Sequence, residues 1–240
     1  MSPLLFFLLF LGFFTQSAVG FGSTLLIATL GALTLPMTVV LPVVSLLNIG
    51  MTSWTLYHDH HLVVWEELWK RLVPGMLVGT LLAFWLVPFG DHVELRRAYA
   101  VFVMGIALLE LWRSLYPPPK TRMKPLEAAL WILAGGFVQG AFATSGPLVV
   151  AYASRVLPEK GAFRATLAFL WLLMNVVLSV RYAVGGFVTE PVLLQAGLGL
   201  GPVALGVWLG NLAHHRLNGE LFRKGVATTL ILAGLALVLQ

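Results

Sequence analysis

The residues best suited to hold a small ligand are a few amides and hydroxyls set inside apolar stretches. Phe14-Thr15-Gln16-Ser17-Ala18 returns as Phe137-Val138-Gln139-Gly140-Ala141, and each copy is followed by a small-residue break: Gly20-Phe21-Gly22-Ser23 after the first, Ala143-Thr144-Ser145-Gly146-Pro147 after the second. Glycine, serine and proline in such clusters read as the end of one helix and the start of another. A fresh helix start presents unpaired backbone N–H groups and a partial positive charge, which suits an anion. Ser23, Thr144 and Ser145 stand where N-cap residues belong, and Pro147 suits a first helical turn. Capping alone would also account for them. Gln16 and Gln139 offer both donors and an acceptor, either to a ligand or to backbone freed by the break.

Further polar groups recur in the same way. Asn48 and Asn175 sit in the apolar stretches that follow the breaks, with Ser45, Thr52 and Ser179 at helical spacing. They read either as cavity wall or as interhelical hydrogen bonds. Arg181 is a basic residue inside an apolar run expected to span. Two roles fit it: snorkelling to an interface, or attracting an anion at the outer mouth. The candidate ligand-binding set is therefore Gln16, Ser17, Gly20, Gly22, Ser23, Asn48, Gln139, Thr144, Ser145, Gly146, Asn175 and Arg181.

What positions these groups follows from composition. The chain of 240 residues is 59% hydrophobic and 10% charged, and its first charged residue is Asp59, which a water-soluble single core does not permit. An all-α polytopic membrane protein is expected. The N-terminus lacks the basic region and cleavage pattern of a secretory signal, so it is expected to belong to the mature chain. Apolar runs lie at roughly 3–35, 36–57, 72–89, 95–112, 126–154, 161–184, 191–212 and 224–240. The first and fifth are too long for one straight span, since about 30 residues make about 45 Å of helix against about 30 Å of hydrocarbon. Each must turn back at its break, as a re-entrant hairpin or as two short spans.

Internal repetition extends beyond the breaks. An offset of 123 relates Phe14, Gln16, Ala18 and Leu25 to Phe137, Gln139, Ala141 and Leu148, and an offset of 127 relates Asn48, Gly79 and Arg96-Arg97 to Asn175, Gly206 and Arg223-Lys224. Residues 1–116 and 126–240 read as two membrane repeats joined by a stiff basic linker at 117–125, Pro117-Pro118-Pro119 with Lys120, Arg122 and Lys124. If all eight runs cross once, Lys and Arg divide seven to eight between the two sides. If the first and fifth turn back, they divide twelve to three. The second arrangement makes the repeats inverted and puts both termini outside the cytoplasm.

Other features read as structure. Gly75/Gly79 and Gly206/Gly210 have the spacing that lets helices approach closely. His58-Asp59-His60-His61 opens a stretch with Trp65, Glu66, Trp69 and Lys70, the composition of an interfacial helix rather than of a metal site. Cysteine is absent, and no zinc-protease, phosphate-loop or paired-carboxylate signature occurs, so neither an enzyme nor a resident cofactor or metal is expected. The basic residues follow topology and give no reason to invoke nucleic acid. The partners expected are the bilayer and a small anion.

Two halves that each open with a glycine-containing break, such as Gln16-Ser17-Ala18-Val19-Gly20-Phe21-Gly22, and close with a glycine-containing helix, a basic pair and a last apolar helix make the chain resemble the sulfite exporter TauE/SafE family. The second break departs from the family's richer glycine cluster, having Thr144-Ser145-Gly146-Pro147. The resemblance implies a secondary transporter in the inner membrane for sulfite, sulfonates or sulfoacetate. Uptake of an inorganic anion such as thiosulfate, or a non-transporting scaffold subunit, are the alternatives. The absence of deep carboxylates leaves any coupling ion unassigned.

Overall fold

A computed structural model describes residues 3–19, 22–88, 90, 92–115, 123–144, 146–157, 159–214 and 219–239. It is all-α over these residues. The helices are α1 (Pro3–Val19), α2 (Ser23–Gly31), α3 (Met37–Asp59), α4 (Trp65–Glu67), α5 (Val73–Leu86), α6 (Val93–Leu115), α7 (Pro125–Phe142), α8 (Gly146–Val156), α9 (Lys160–Val184), α10 (Glu190–His214) and α11 (Gly219–Val238). A 3₁₀ turn, His60–Leu62, follows α3, and a π turn, Leu68–Leu72, joins α4 to α5. Among the described residues four helical stretches are long and apolar enough to cross a membrane: Met37–Leu62, Pro125–Phe142, Lys160–Val184 and Glu190–Ala213. The protein is a multi-pass membrane protein.

Both overlong runs break where the sequence indicates. At 17 residues α1 is about 25 Å long and at 18 residues α7 is about 27 Å, whereas α2 with 9 residues and α8 with 11 reach only about 14 and 16 Å, half a hydrocarbon core. Each short helix folds back on the long one. A β-carbon at Gly12 of α1 would stand 3.1 Å from the Ser23 carbonyl and 2.6 Å from Ile27 Cδ1 of α2. At Gly135 of α7, 123 positions after Gly12, a β-carbon would stand 2.7 Å from Val149 Cγ2 of α8. These are hairpins closed by glycine, because any side chain there would push the arms apart.

The chain forms two compact units. Unit 1 comprises Met1–Val44, Gly90–Pro119 and Thr189–Gln240; unit 2 comprises Ser45–Phe89 and Lys120–Val188. Each takes elements from both sides of the central linker, so compactness does not follow the repeat boundary in sequence. Helix α3 passes from one unit to the other just after Pro42, whose missing N–H interrupts the helical ladder. Most of the linker, residues 117–122, lies outside the described residues.

Within unit 1 the long hairpin arm α1 packs on α10, and within unit 2 the arm α7 packs on α5. The two contacts are built alike. A β-carbon at Gly206 would meet Phe10 O at 2.6 Å and Phe14 N at 3.0 Å; one at Gly79 would meet Leu133 O and, at 2.7 Å, Phe137 N. Farther along, Gly210 faces Ser17 Cβ at 2.7 Å and Gly140 faces Ala83 Cβ at 2.8 Å. Every residue of one contact is related to its equivalent in the other by the offset of 123 or 127 seen in sequence. Glycine at these positions brings backbone against backbone, the arrangement that van der Waals packing favours where no hydrophobic drive separates helix from lipid. The rest of unit 2 is filled by a core that includes Leu68, Leu72, Met76, Leu167, Leu170 and Met174.

Candidate functional site

The expected site residues divide between the units. Gln16, Ser17, Gly22 and Ser23 belong to unit 1; Asn48, Gln139, Thr144, Gly146, Asn175 and Arg181 belong to unit 2. Gly20 and Ser145 lie outside the described residues.

In unit 1, α2 starts from Gly22, whose φ of 102° and ψ of 2° are left-handed and open to glycine at little cost. Gly22, not Ser23, therefore holds the N-cap position. Ser23 is the first helical residue, 2% exposed, and its hydroxyl donates across the break to Gln16 Oε1. Gln16 and Ser23 are thus joined directly to each other. Ser17 turns toward α10: its Oγ lies 3.0 Å from the Val207 carbonyl and 2.7 Å from Asn211 Oδ1, both acceptors for its single hydrogen. Asn211 had escaped notice, although it is one of only four asparagines in the chain and that scarcity was a usable signal.

In unit 2, α7 ends at Ala143, which has φ 55° and ψ 24° and is the one non-glycine residue with positive φ among those described. Left-handed geometry costs an L-residue with a β-carbon roughly 1–2 kcal/mol. The hairpin holds Ala143 there: its N–H donates to the Gln139 carbonyl at 2.9 Å and the residue is buried. Gln139 is 2% exposed and Thr144 5%. Thr80 of α5 adds a bond to the hairpin by donating to the Gly136 carbonyl at 3.0 Å.

Arg181 is tied to backbone within unit 2. Its guanidinium donates to the Gly140 carbonyl at 3.2 Å and the Val87 carbonyl at 3.0 Å, and it lies 4.1 Å from the centroid of the Phe84 ring. Both carbonyls belong to helix C-terminal turns, where backbone acceptors lack intrahelical partners and the helix dipole is negative. A cation at this place offsets the negative end of α7 beside the start of α8. That removes a repulsion which an anion at the α8 start would otherwise meet. No local pattern predicts this contact, since Arg181 lies 41 residues from Gly140 and 94 from Val87.

The asparagines are used partly as structure. Asn175 donates from Nδ2 to the Trp171 carbonyl at 2.8 Å, and its own carbonyl accepts from Ser45 Oγ at 3.1 Å. Ser45 also lies 3.1 Å from Ser179 Oγ, so the polar face expected on α3 and α9 is an interhelical seam. Thr52 bonds back to the Asn48 carbonyl at 2.6 Å. Asn48 and Asn175 remain buried, at 6% and 5% exposure, beside that seam.

The His58–His61 stretch has structural partners. Asp59 pairs with Arg164 at 2.7 Å, and His58 Nδ1 lies 3.1 Å from the Trp54 carbonyl. Trp65 and Trp69 are exposed and set edge-on against Phe169, as an interfacial segment would be.

Comparison with known proteins places this architecture. The model of the family described as "Sulfite exporter TauE/SafE" matches residues 4–237. A protein of Comamonas testosteroni named "Probable inner membrane transporter protein TsaS" is 30% identical over 184 residues, covering 73% of this chain and 72% of that protein. No solved structure matches significantly.

Proposed function

The chain belongs to the sulfite exporter TauE/SafE family, and from that premise we propose that this membrane transporter exports a small sulfur-containing or organic anion of the sulfite, sulfonate or sulfoacetate class. The observation that carries the reading is the pair of polar hairpin breaks, each with a buried or half-buried glutamine beside the start of a short helix. Helix starts, amides and hydroxyls bind an oxyanion without requiring a deep carboxylate, and they leave an empty site that a membrane interior tolerates. In unit 2 the Arg181 guanidinium adds the positive charge that selects for anions over cations. The relative's printed name, an inner membrane transporter, supports placement in the inner membrane. Nothing in the reading calls for enzymatic chemistry.

The equivalence of the two glycine contacts supports internal duplication, and the twelve-to-three division of basic residues supports inverted repeats with both termini outside. Single cysteines at Ser2 and at Lys120 test this: an impermeant thiol reagent added to intact cells should label the first and spare the second. Equal labelling would refute the orientation. The function itself is tested by transport into proteoliposomes of the purified protein, screened across sulfite, sulfoacetate, taurine, thiosulfate and sulfate. Saturable movement of a sulfur oxyanion or sulfonate is expected, and movement of none of them would overturn the proposal.

A further inference from the structure

Unit 2 contains a carboxylate that the reading above does not use. Glu67 closes α4, and its side chain is only 12% exposed although its neighbours Glu66 and Lys70 are largely in the open at 76% and 72%. Each of its oxygens has a donor. The Tyr152 hydroxyl of α8 donates to Oε1, and Arg71 Nη1 donates to Oε2 at 3.1 Å. The Arg71 guanidinium is held above its ordinary value first by the Tyr152 hydroxyl and then by the Glu67 charge, so the three groups form one cluster.

The backbone is shaped to make this cluster. The π turn Leu68–Leu72 follows Glu67 directly, and one inserted residue rotates everything before it by about 100° relative to α5. Adjacent helical residues point about 100° apart, so Glu66 and Glu67 take opposite environments, and the turn sets how both face relative to α5. At the other end, Tyr152 is 3% exposed and packs in the unit 2 core. It lies on α8, the short arm that starts at Gly146 just after the second break.

We propose that Glu67 is a positioning residue for transport: its carboxylate, held by Arg71, fastens the α8 arm through the Tyr152 hydroxyl. This rests on the reading of the second break as part of the substrate path. A hydrogen bond to a carboxylate is about twice as strong as one to a neutral acceptor, and the Arg71 pair exists only with the charged form. Removing the carboxylate charge therefore weakens both ties together. The other charged groups on the packed elements do not compete for Glu67: Lys70 pairs with Glu66, Arg155 of α8 faces Glu127 of α7, and Arg164 of α9 holds Asp59.

The test uses the full-length protein in proteoliposomes, with amide hydrogen exchange of α8 and the concentration dependence of anion transport measured side by side. Tyr152→Phe should lower α8 protection by about ten- to a hundredfold, the equilibrium effect of losing one hydrogen bond to a charged group. Glu67→Gln keeps an acceptor for Tyr152 but loses the charge, so protection should fall less than in Tyr152→Phe. Both variants should lower the maximal transport rate more than they raise its KM. Wild-type protection of α8 in Tyr152→Phe, or wild-type transport in both variants, overturns the proposal. If α8 protection follows Glu67 while no anion is transported, the fastening stands and the transport reading fails.

Discussion

The two short hairpin arms, α2 and α8, are fastened by different chemistry at equivalent places. Thr29 of α2 and Tyr152 of α8 are related by the offset of 123, and each sends a hydroxyl into a hydrogen-bond cluster. For α2 the cluster is neutral and buried: Tyr99 of α6, with 0% exposure, donates to the Leu25 carbonyl at 3.2 Å and lies 3.3 Å from Thr29 Oγ1, which bonds Leu25 O at 2.6 Å. Arg96 adds a contact from Nη1 to the Ala32 carbonyl, 3.4 Å away, at the end of the arm. For α8 the cluster is charged and stands at the rim of its unit. The comparison teaches that equivalent elements need not be held alike: a neutral buried tie draws on burial, whereas a tie to a carboxylate draws on its charge.

The largest effect should come from the equivalent glycine contacts, one inside each unit. Gly79→Val and Gly206→Val each drive a side chain into the backbone of a hairpin arm, at Phe137 and at Phe14 respectively. Both should destabilise by about 3 kcal/mol or more, because backbone cannot move aside as a flexible side chain can. Thermal unfolding in detergent measures this, and a large effect at one site with tolerance at the other would break the equivalence of the units.

Next come the glutamines. Gln16→Leu leaves the Ser23 hydroxyl without its acceptor and Gln139→Leu removes an amide that is 2% exposed. Stability should change by about 1–2 kcal/mol in each, while anion uptake should be nearly lost. Normal uptake in both variants would assign the amides to the hairpin bends alone.

Tyr99→Phe should cost about 1 kcal/mol, and by the same amount at pH 6 as at pH 8, since no group in that cluster changes charge between them. A cost that varies with pH would erase the contrast between the arms. Ala143→Gly should be neutral or stabilising by up to about 1 kcal/mol, as relief of left-handed strain outweighs the added freedom of the unfolded chain. The smallest effect belongs to the exposed pair of Lys70 and Glu66, where Lys70→Ala should leave the melting temperature unchanged.

Much of the architecture could be read from residues close together in the chain. The apolar runs correspond to the helices because hydropathy over some twenty residues reports the solvent directly, and the two overlong runs break at their glycine and serine clusters because those residues supply the turn conformations locally. The offsets of 123 and 127 also anticipated which glycines occupy equivalent contacts. They could not say which helices meet, because a glycine-rich face is complementary to any other smooth helix face.

What the sequence alone determined was therefore an all-α membrane protein with two broken apolar runs and amides at the breaks. Tertiary structure decided the partners: α1 with α10 and α5 with α7, Ser17 with Val207 and Asn211, Arg181 with the ends of α5 and α7, and Glu67 with Tyr152, residues 85 apart in the chain. Each of these side chains has several chemically acceptable partners. The choice among them follows from which backbones can approach most closely, a property of the whole packing rather than of any local stretch.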